Sequence, residues 1–297
     1  MKKIITFICL IAGILALFAC TQDNDAGNAS GSTPAGEITI NPTGELEVIV
    51  FSTKKTSAAD AILIRTENYN IMIDTSTNKG FKEVKTYFED HTITTVHCLI
   101  VTHFDNDHVG GGDQLFDIAE VKQVIMPKYG KKSKQFEQFT DAMNEHGLIP
   151  TILTEYCNLT FDDAIFSLYP PEKDYYGEDK ENDFSIITSL IHGNNKFLFM
   201  GDAESERTRE YLYQQDIAHQ FIKAPYHGRY KEEYGALYRR VNPDFAIITS
   251  ADKEPADIST LALLESLGVN VYRTSDGTVL AISDGSTIKI TQPENNL

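Results

Sequence analysis

The chain has 297 residues, 41% of them hydrophobic, which suits either one large folded domain or two small ones. Its formal net charge is −17, so its overall field repels nucleic acid and anionic membrane rather than gathering them. A polyanionic substrate must then be held by local features, such as metal ions or a small basic loop.

The chain opens with Lys2 and Lys3 ahead of an apolar run from Ile4 to Ala19, the n-region and h-region of a secretory signal. The run is shorter than the ~20 apolar residues of a spanning helix. Leu17-Phe18-Ala19-Cys20 resembles a bacterial lipobox, with Phe18 bulkier than usual at its position. The expectation is a lipoprotein signal peptide over residues 1–19, lipidation at Cys20, a flexible polar tether over the rest of 20–44, and a folded body over 45–297. That predicts an extracytoplasmic protein anchored by lipid to a bacterial membrane, periplasmic or at the cell surface. Cys98 and Cys157 remain in the body without C-x-x-C spacing, so a Cys zinc site is not expected, and Cys98 in VHCLIVT reads as a core residue.

From Glu45 the runs LEVIVFS, AILIRT and YNIMIDT read as strands. GFKEVKTYFED has helical spacing, and VHCLIVTH reads as a buried strand ending at His103. VKQVIMP is a strand and KQFEQFTDAMNEHG a helix stopping at Gly147. FSIITSLIHGNNKFLFMGD reads as a hairpin. Then come a helix in AESERTREYLYQQ, a strand in HQFIKAP, a helix in EEYGALYRRV, a strand in FAIITS and a helix in STLALLESLG. Strands NVYRT, TVLAIS and STIKIT close the chain. With no internal linker, this predicts one layered α/β domain.

The chemistry concentrates in His103-Phe104-Asp105-Asn106-Asp107-His108, followed by Gly110-Gly111-Gly112. Imidazoles and carboxylates are ligands for divalent first-row metals, and four of them in six residues is costly to explain as plain surface. Asp74, Asp202 and His227 each end a further strand. Singly these are ordinary turn residues; the order Asp, His/Asp cluster, Gly-Asp, His-Gly is far more specific.

That order resembles the metallo-β-lactamase superfamily, with signature H-x-H-x-D-H, and within it the extracytoplasmic hydrolase domain of ComEC-type competence proteins. The matching features are H-x-D-x-D-H-x-G-G over His103 to Gly111, N-x-x-S over Asn182 to Ser185, and L-x-x-G-D over Leu198 to Asp202. P-H-H-G corresponds to Pro225 to Gly228, with Tyr226 in place of the first His, and Y-R-T…G corresponds to Tyr272 to Thr274 and Gly277. The subgroup's V-G-Q-G-D turn is replaced by TKKTSAADA, which keeps Asp60. The resemblance spans about Leu46 to Ile290 and implies a four-layer αββα sandwich with a two-metal site at one edge.

The resemblance further implies one Zn²⁺ or Mn²⁺ ion at His103 and Asp105, a second at Asp107, His108 and His227, and Asp202 bridging them. Asp107 and Asp74 are the candidate catalytic carboxylates, Asp74 by orienting the cluster. The superfamily's additional first-site His has no evident counterpart: His146 and His192 are the intervening histidines, and Asn182 or Asp183 is the substitute considered. Arg229, Tyr230 and Asn182 are the candidate substrate contacts, and the loop KYGKKSK offers Lys128, Lys131, Lys132, Lys134 and Tyr129. The expected function is a metal-dependent phosphodiesterase or nuclease using a metal-activated water, with single-stranded DNA a candidate partner and no protein partner evident. The alternatives are a phosphocholine-type cell-envelope esterase and a non-catalytic lipoprotein binding module.

Overall fold

The β-branched runs pair into two mixed sheets in the computed structural model, which describes residues 44–292. Edge to edge, the first sheet is β17 (Ile288–Thr291), β16 (Val279–Ser283), β1 (Leu46–Val50), β2 (Ala61–Arg65), β3 (Asn70–Thr75), β5 (Cys98–Ile100), β7 (Val124–Pro127) and β8 (Thr151–Leu153). Pairing is antiparallel from β17 to β3 and parallel from β3 to β8. The second sheet is β15 (Asn270–Arg273), β14 (Phe245–Ile248), β13 (Phe221–Lys223), β12 (Asn195–Phe199), β11 (Ile187–His192), β10 (Ala164–Tyr169) and β9 (Cys157–Phe161). It is antiparallel from β9 to β12 and parallel beyond. A two-stranded piece joins β4 (Thr95–Val96) to β6 (Glu120–Val121).

Alternation of side chains along each strand sorts the apolar residues into layers. Val48, Ile62, Ile73 and Ile100 of the first sheet share one buried cluster with Phe166, Leu190, Phe197 and Phe199 of the second. Their neighbours Ile49, Leu63, Met72 and Leu99 turn the other way, onto Phe81, Val84 and Phe88 of helix α1 (Phe81–Asp90). That outer layer also holds α2 (Asn106–Val109), α3 (Gly112–Ile118) and α4 (Lys134–Glu145). On the far side Leu198, Ile222 and Ile248 meet Tyr211 of α5 (Ser205–Leu212), Leu237 and Tyr238 of α6 (Tyr234–Val241) and Leu264 of α7 (Ile258–Ser266). Three apolar interfaces between four layers make the expected αββα sandwich, in one domain. Each fully buried Ile, Leu or Phe contributes ~1.5–3 kcal/mol to holding the layers together.

Three features differ from the sequence reading. The strand through VHCLIVTH stops at Ile100, because the Thr102 N–H leaves the ladder and donates to the Asp74 carboxylate at 2.8 Å. Two short helices, α2 and α3, meet at Gly110 and Gly111, where no element is assigned from sequence. Strands β8, β9 and β10 lie where no element is assigned from sequence, although β9 buries Cys157, Leu159 and Phe161 and exposes Asn158 and Thr160 in strict alternation. Cys98 and Cys157 are both buried and unbridged. The expected signal peptide, lipidated Cys20 and tether as far as residue 43 lie outside the described residues. Among the described residues, no helix is long and apolar enough to cross a membrane.

One buried histidine makes the second sheet sensitive to acid. His219 donates through Nδ1 to the Ile217 carbonyl at 2.9 Å and accepts at Nε2 from the Ser189 hydroxyl at 2.7 Å. Burial lowers it from its ordinary value to about 4. Its neutral form is the one the fold accepts, so its contribution is complete above pH ~6.5 and is lost as pH falls toward 4. Up to about 3 kcal/mol of unfolding free energy should disappear across that window. Denaturant unfolding of the His219→Asn variant, which keeps a side-chain N–H donor, should show a correspondingly flatter pH dependence between 4 and 6.5.

Candidate metal centre

The strand ends of both sheets converge on one edge of the sandwich, where β3 delivers Asp74, β5 leads into His103, β12 into Asp202, β13 into His227 and β14 into Thr249. Asp74 is aimed by a fault in strand pairing. Ala61 pairs with Thr75 while Ile62 pairs with Ile73, so Asp74 is the extra residue of a β-bulge, with φ 58°. Its Oδ1 accepts from the Thr102 N–H at 2.8 Å, and its Oδ2 accepts from the Thr102 hydroxyl at 2.7 Å and from His108 Nδ1 at 2.8 Å. Both oxygens are consumed and the residue is fully buried. Asp74 therefore orients His108, the role in which it stands among the catalytic candidates.

The same pattern fixes the other imidazoles. His227 donates through Nδ1 to the Thr249 carbonyl at 3.0 Å, and the Thr249 hydroxyl donates to Asp60 at 2.6 Å. His103 Nδ1 lies 3.2 Å from the Thr102 hydroxyl, which is already committed as a donor to Asp74 and so accepts here. All three rings thus turn Nε2 toward the cluster. His227 reaches its place through unusual backbone: Tyr226 and His227 have φ of 50° and 51°, a conformation that costs roughly 1–2 kcal/mol per non-glycine residue. Gly201, before Asp202, has φ 54°, and a Cβ there would lie 2.9 Å from Thr102 Cβ.

Asp107, His108, Asp202 and His227 are brought together so that one ligand atom from each lies within 4.8 Å of all the others. His227 Nε2 is 3.0 Å from Asp202 Oδ2 and 3.1 Å from Asp107 Oδ2; His108 Nε2 is 3.5 and 3.8 Å from the same two oxygens. A tetrahedral ion with ligands at ~2.0–2.1 Å sets donor separations of ~3.3 Å, which these values bracket. The buried Nε2 atom of His108 has no hydrogen-bond partner, a costly arrangement that a cation relieves. The quartet fits a divalent ion.

His103 and Asp105 stand beside this quartet, with His103 Nε2 3.9 Å from Asp105 Oδ2. Neither intervening histidine completes their set. His146 ends α4 and faces Asp117 at 3.8 Å, and His192 is buried against Ser283 at 2.8 Å. Asp183 accepts from the Arg207 N–H, and Asn182 donates to Glu204 at 3.1 Å, so the two substitutes are also engaged elsewhere. Glu204 gathers Lys180 at 3.1 Å and Lys231 at 2.7 Å as well, which makes Asn182 part of a charged cluster around that carboxylate. Arg229 is exposed, with its guanidinium 5.0 Å from the Tyr226 ring centre. Tyr230 lines a surface recess with Glu232, Arg239 and Leu263 instead of the metal cradle. Tyr129 is not free to stack a base, because its ring lies between Phe104 at 4.4 Å and Phe184 at 4.3 Å.

Lys223 escapes the sequence reading altogether. Its ammonium is fully buried, ion-paired with Asp60, 3.4 Å from Asp202 Oδ1 and 2.9 Å from the Gly201 carbonyl it donates to. The available signal was a Lys inside the apolar strand FIKAP. Burial works against its charge, but Asp60 and Asp202 raise its pKa above the ordinary lysine value. Burial also opposes the Asp202 charge, yet His227, His108 and Lys223 hold that carboxyl well below the usual range. Replacing Lys223 by Met should leave two buried carboxylates without their cation and lower stability by ~3–5 kcal/mol, measured by denaturant unfolding of the metal-free chain.

The quartet also sets the pH dependence of metal binding. Burial disfavours a charged His227, but Asp202 and Asp107 raise it to about 9; Asp202, Asp74 and Asp107 likewise raise His108 well above its ordinary value. Since Nδ1 carries one proton in each ring, the proton on Nε2 is the one a cation displaces. Affinity should rise with pH from 6 toward 9, and calorimetry in buffers of different ionisation heat should show net proton release at pH 7.

These positions fit what comparison with known proteins finds. The model of the metallo-beta-lactamase superfamily matches residues 56–237. ComE operon protein 3 of Bacillus subtilis is 24% identical over 63% of this chain and 24% of its own length. Recombination protein 2 of Haemophilus influenzae is 24% identical over 57% of this chain and 19% of its own length. The chain thus spans about a quarter or less of these curated relatives. The crystal structure of YhfI from Bacillus subtilis, a metallo-beta-lactamase fold protein, superposes with a TM-score of 0.55 at 8% identity, covering 84% of this chain and all of that one. With the family model spanning more than half its length and the ligand quartet in place, the chain belongs to the metallo-β-lactamase superfamily.

Proposed function

We propose that the chain is an extracytoplasmic, lipid-anchored, metal-dependent hydrolase of phosphodiesters, a phosphodiesterase or nuclease working with Zn²⁺ or Mn²⁺. The observation that carries this reading is the quartet of two carboxylates and two imidazoles with fixed tautomers. Carboxylate-rich sets suit harder ions, and harder ions suit phosphoryl oxygens. A divalent ion held there supplies Lewis acidity and lowers the pKa of water. The chain's own groups do the rest: Asp107 is the partly exposed member of the quartet, while Asp74 and Thr249 keep His108 and His227 from turning. Lys131 at Asp105 and Arg229 beside Tyr226 set positive charge near the cluster in an otherwise acidic protein. The name of the relative Recombination protein 2 is consistent with a nucleic-acid substrate.

The phosphocholine alternative asks for an aromatic face open to a quaternary ammonium. Here the Tyr226 ring carries the Arg229 guanidinium and the Lys231 ammonium, each 5.0 Å from its centre, and Tyr129 is stacked on both sides. The two cations over Tyr226 favour an anionic group as neighbour, and Tyr129 has no open face.

Four substrates run in parallel with Zn²⁺ and Mn²⁺ separate the readings: bis-(p-nitrophenyl) phosphate, p-nitrophenyl phosphorylcholine, single-stranded DNA and a chromogenic cephalosporin. Metal-dependent turnover of the first, extending to DNA for a nuclease, is expected. Asp107→Asn should lower kcat/KM at least ~100-fold, the upper end of what losing a ligand's outer partner costs. Turnover of the cephalosporin alone would overturn the phosphodiester assignment. Inactivity on all four would favour the binding module.

A further inference from the structure

We infer that the ammonium of Lys131 stands in for the cation of the first position, so that the chain holds one divalent ion tightly, at Asp107, His108, Asp202 and His227. This rests on the metal-site part of the proposed function and is independent of the substrate. The two positions are unequal in donors. The quartet supplies four ligand atoms, while His103 and Asp105 supply two, and one Asp105 oxygen is ion-paired with Lys131. Catalytic zinc sites use three protein ligands. The groups that could add a third are engaged elsewhere: His146 with Asp117, His192 with Ser283, Asn182 with Glu204, and Asp183 with the Arg207 N–H. Asp202, the expected bridge, turns its Oδ1 to Lys223 and keeps only Oδ2 for the cluster.

Lys131 is placed by packing as well as by charge. Tyr129, two residues before it, is stacked between Phe104 and Phe184, and its hydroxyl accepts from the Phe104 N–H at 2.6 Å. Phe104 directly precedes Asp105 and stacks on Phe136 at 4.2 Å. One ring ladder therefore registers the lysine loop against the carboxylate it neutralises. An ammonium there satisfies Asp105, offers no lone pair to a metal, and repels a second divalent ion.

Ion counting tests this without any substrate. The purified chain is loaded with excess Mn²⁺, exchanged into metal-free buffer, and examined by native mass spectrometry and electron paramagnetic resonance. The expected result is one ion per wild-type chain, with no spin coupling. Lys131→Met frees the second Asp105 oxygen, giving three donor atoms with His103, and should hold a second ion at least ~10-fold more tightly than wild type does. Lys131→Arg, which keeps the positive charge, should hold one. Two ions in the wild type, or one in both the wild type and Lys131→Met, would overturn the inference while leaving the metal-dependent reading standing. A wild-type chain that retains no ion would sink both.

Discussion

The buried ammonium of Lys223 is the interaction on which the rest of this edge depends. It sits on β13 of the second sheet, yet it pairs with Asp60, which enters β2 of the first. Its contact with Asp202 ties in the end of β12 as well. The apolar core between the sheets is non-directional and resists sliding only through shape. A charge that finds its partners in one geometry fixes the two sheets where the ligands must meet. Through Thr249, Asp60 also reaches His227, so one carboxylate links the inter-sheet clamp to an imidazole of the cradle.

The site is therefore assembled in tiers. Nearest the cation position are Asp107, His108, Asp202 and His227. Behind them, Asp74, Thr102 and Thr249 hold the rings by hydrogen bonds, and behind those lie Lys223 and Asp60. Both tiers behind the ligands are dry: Asp107 is partly exposed, whereas Asp74, Thr249, Lys223 and Asp60 are buried. Charges placed at that depth are useful only when paired, and here each has its partner.

Much of this was legible in the sequence for a simple reason. Alternating apolar runs dictate strands and ligand residues at strand ends mark where chemistry gathers, while the four layers and the ligand set follow from the family resemblance that those residues carry. What was not legible depends on distance across the fold. Lys223 looks like an interruption in an apolar strand until Asp60, 163 positions earlier, is placed against it. Tyr129 reads as a free aromatic until Phe104 and Phe184 close on its faces. Tyr230 follows His227 closely in sequence, but the turn at Tyr226 to Gly228 redirects the chain toward another recess. The strands β8 to β10 were missed although Cys157, Leu159 and Phe161 carry the alternation that marks them.

The bulge at Asp74 has a consequence for folding itself. The orienting carboxylate faces the imidazole only because β2 and β3 pair with one residue left over. A one-residue slip in that hairpin would turn Asp74 to the opposite face and free His108 Nδ1. Strand register and ion affinity are thus one property at this point, and a chain that captures its ion has, by that act, certified the pairing of its first sheet.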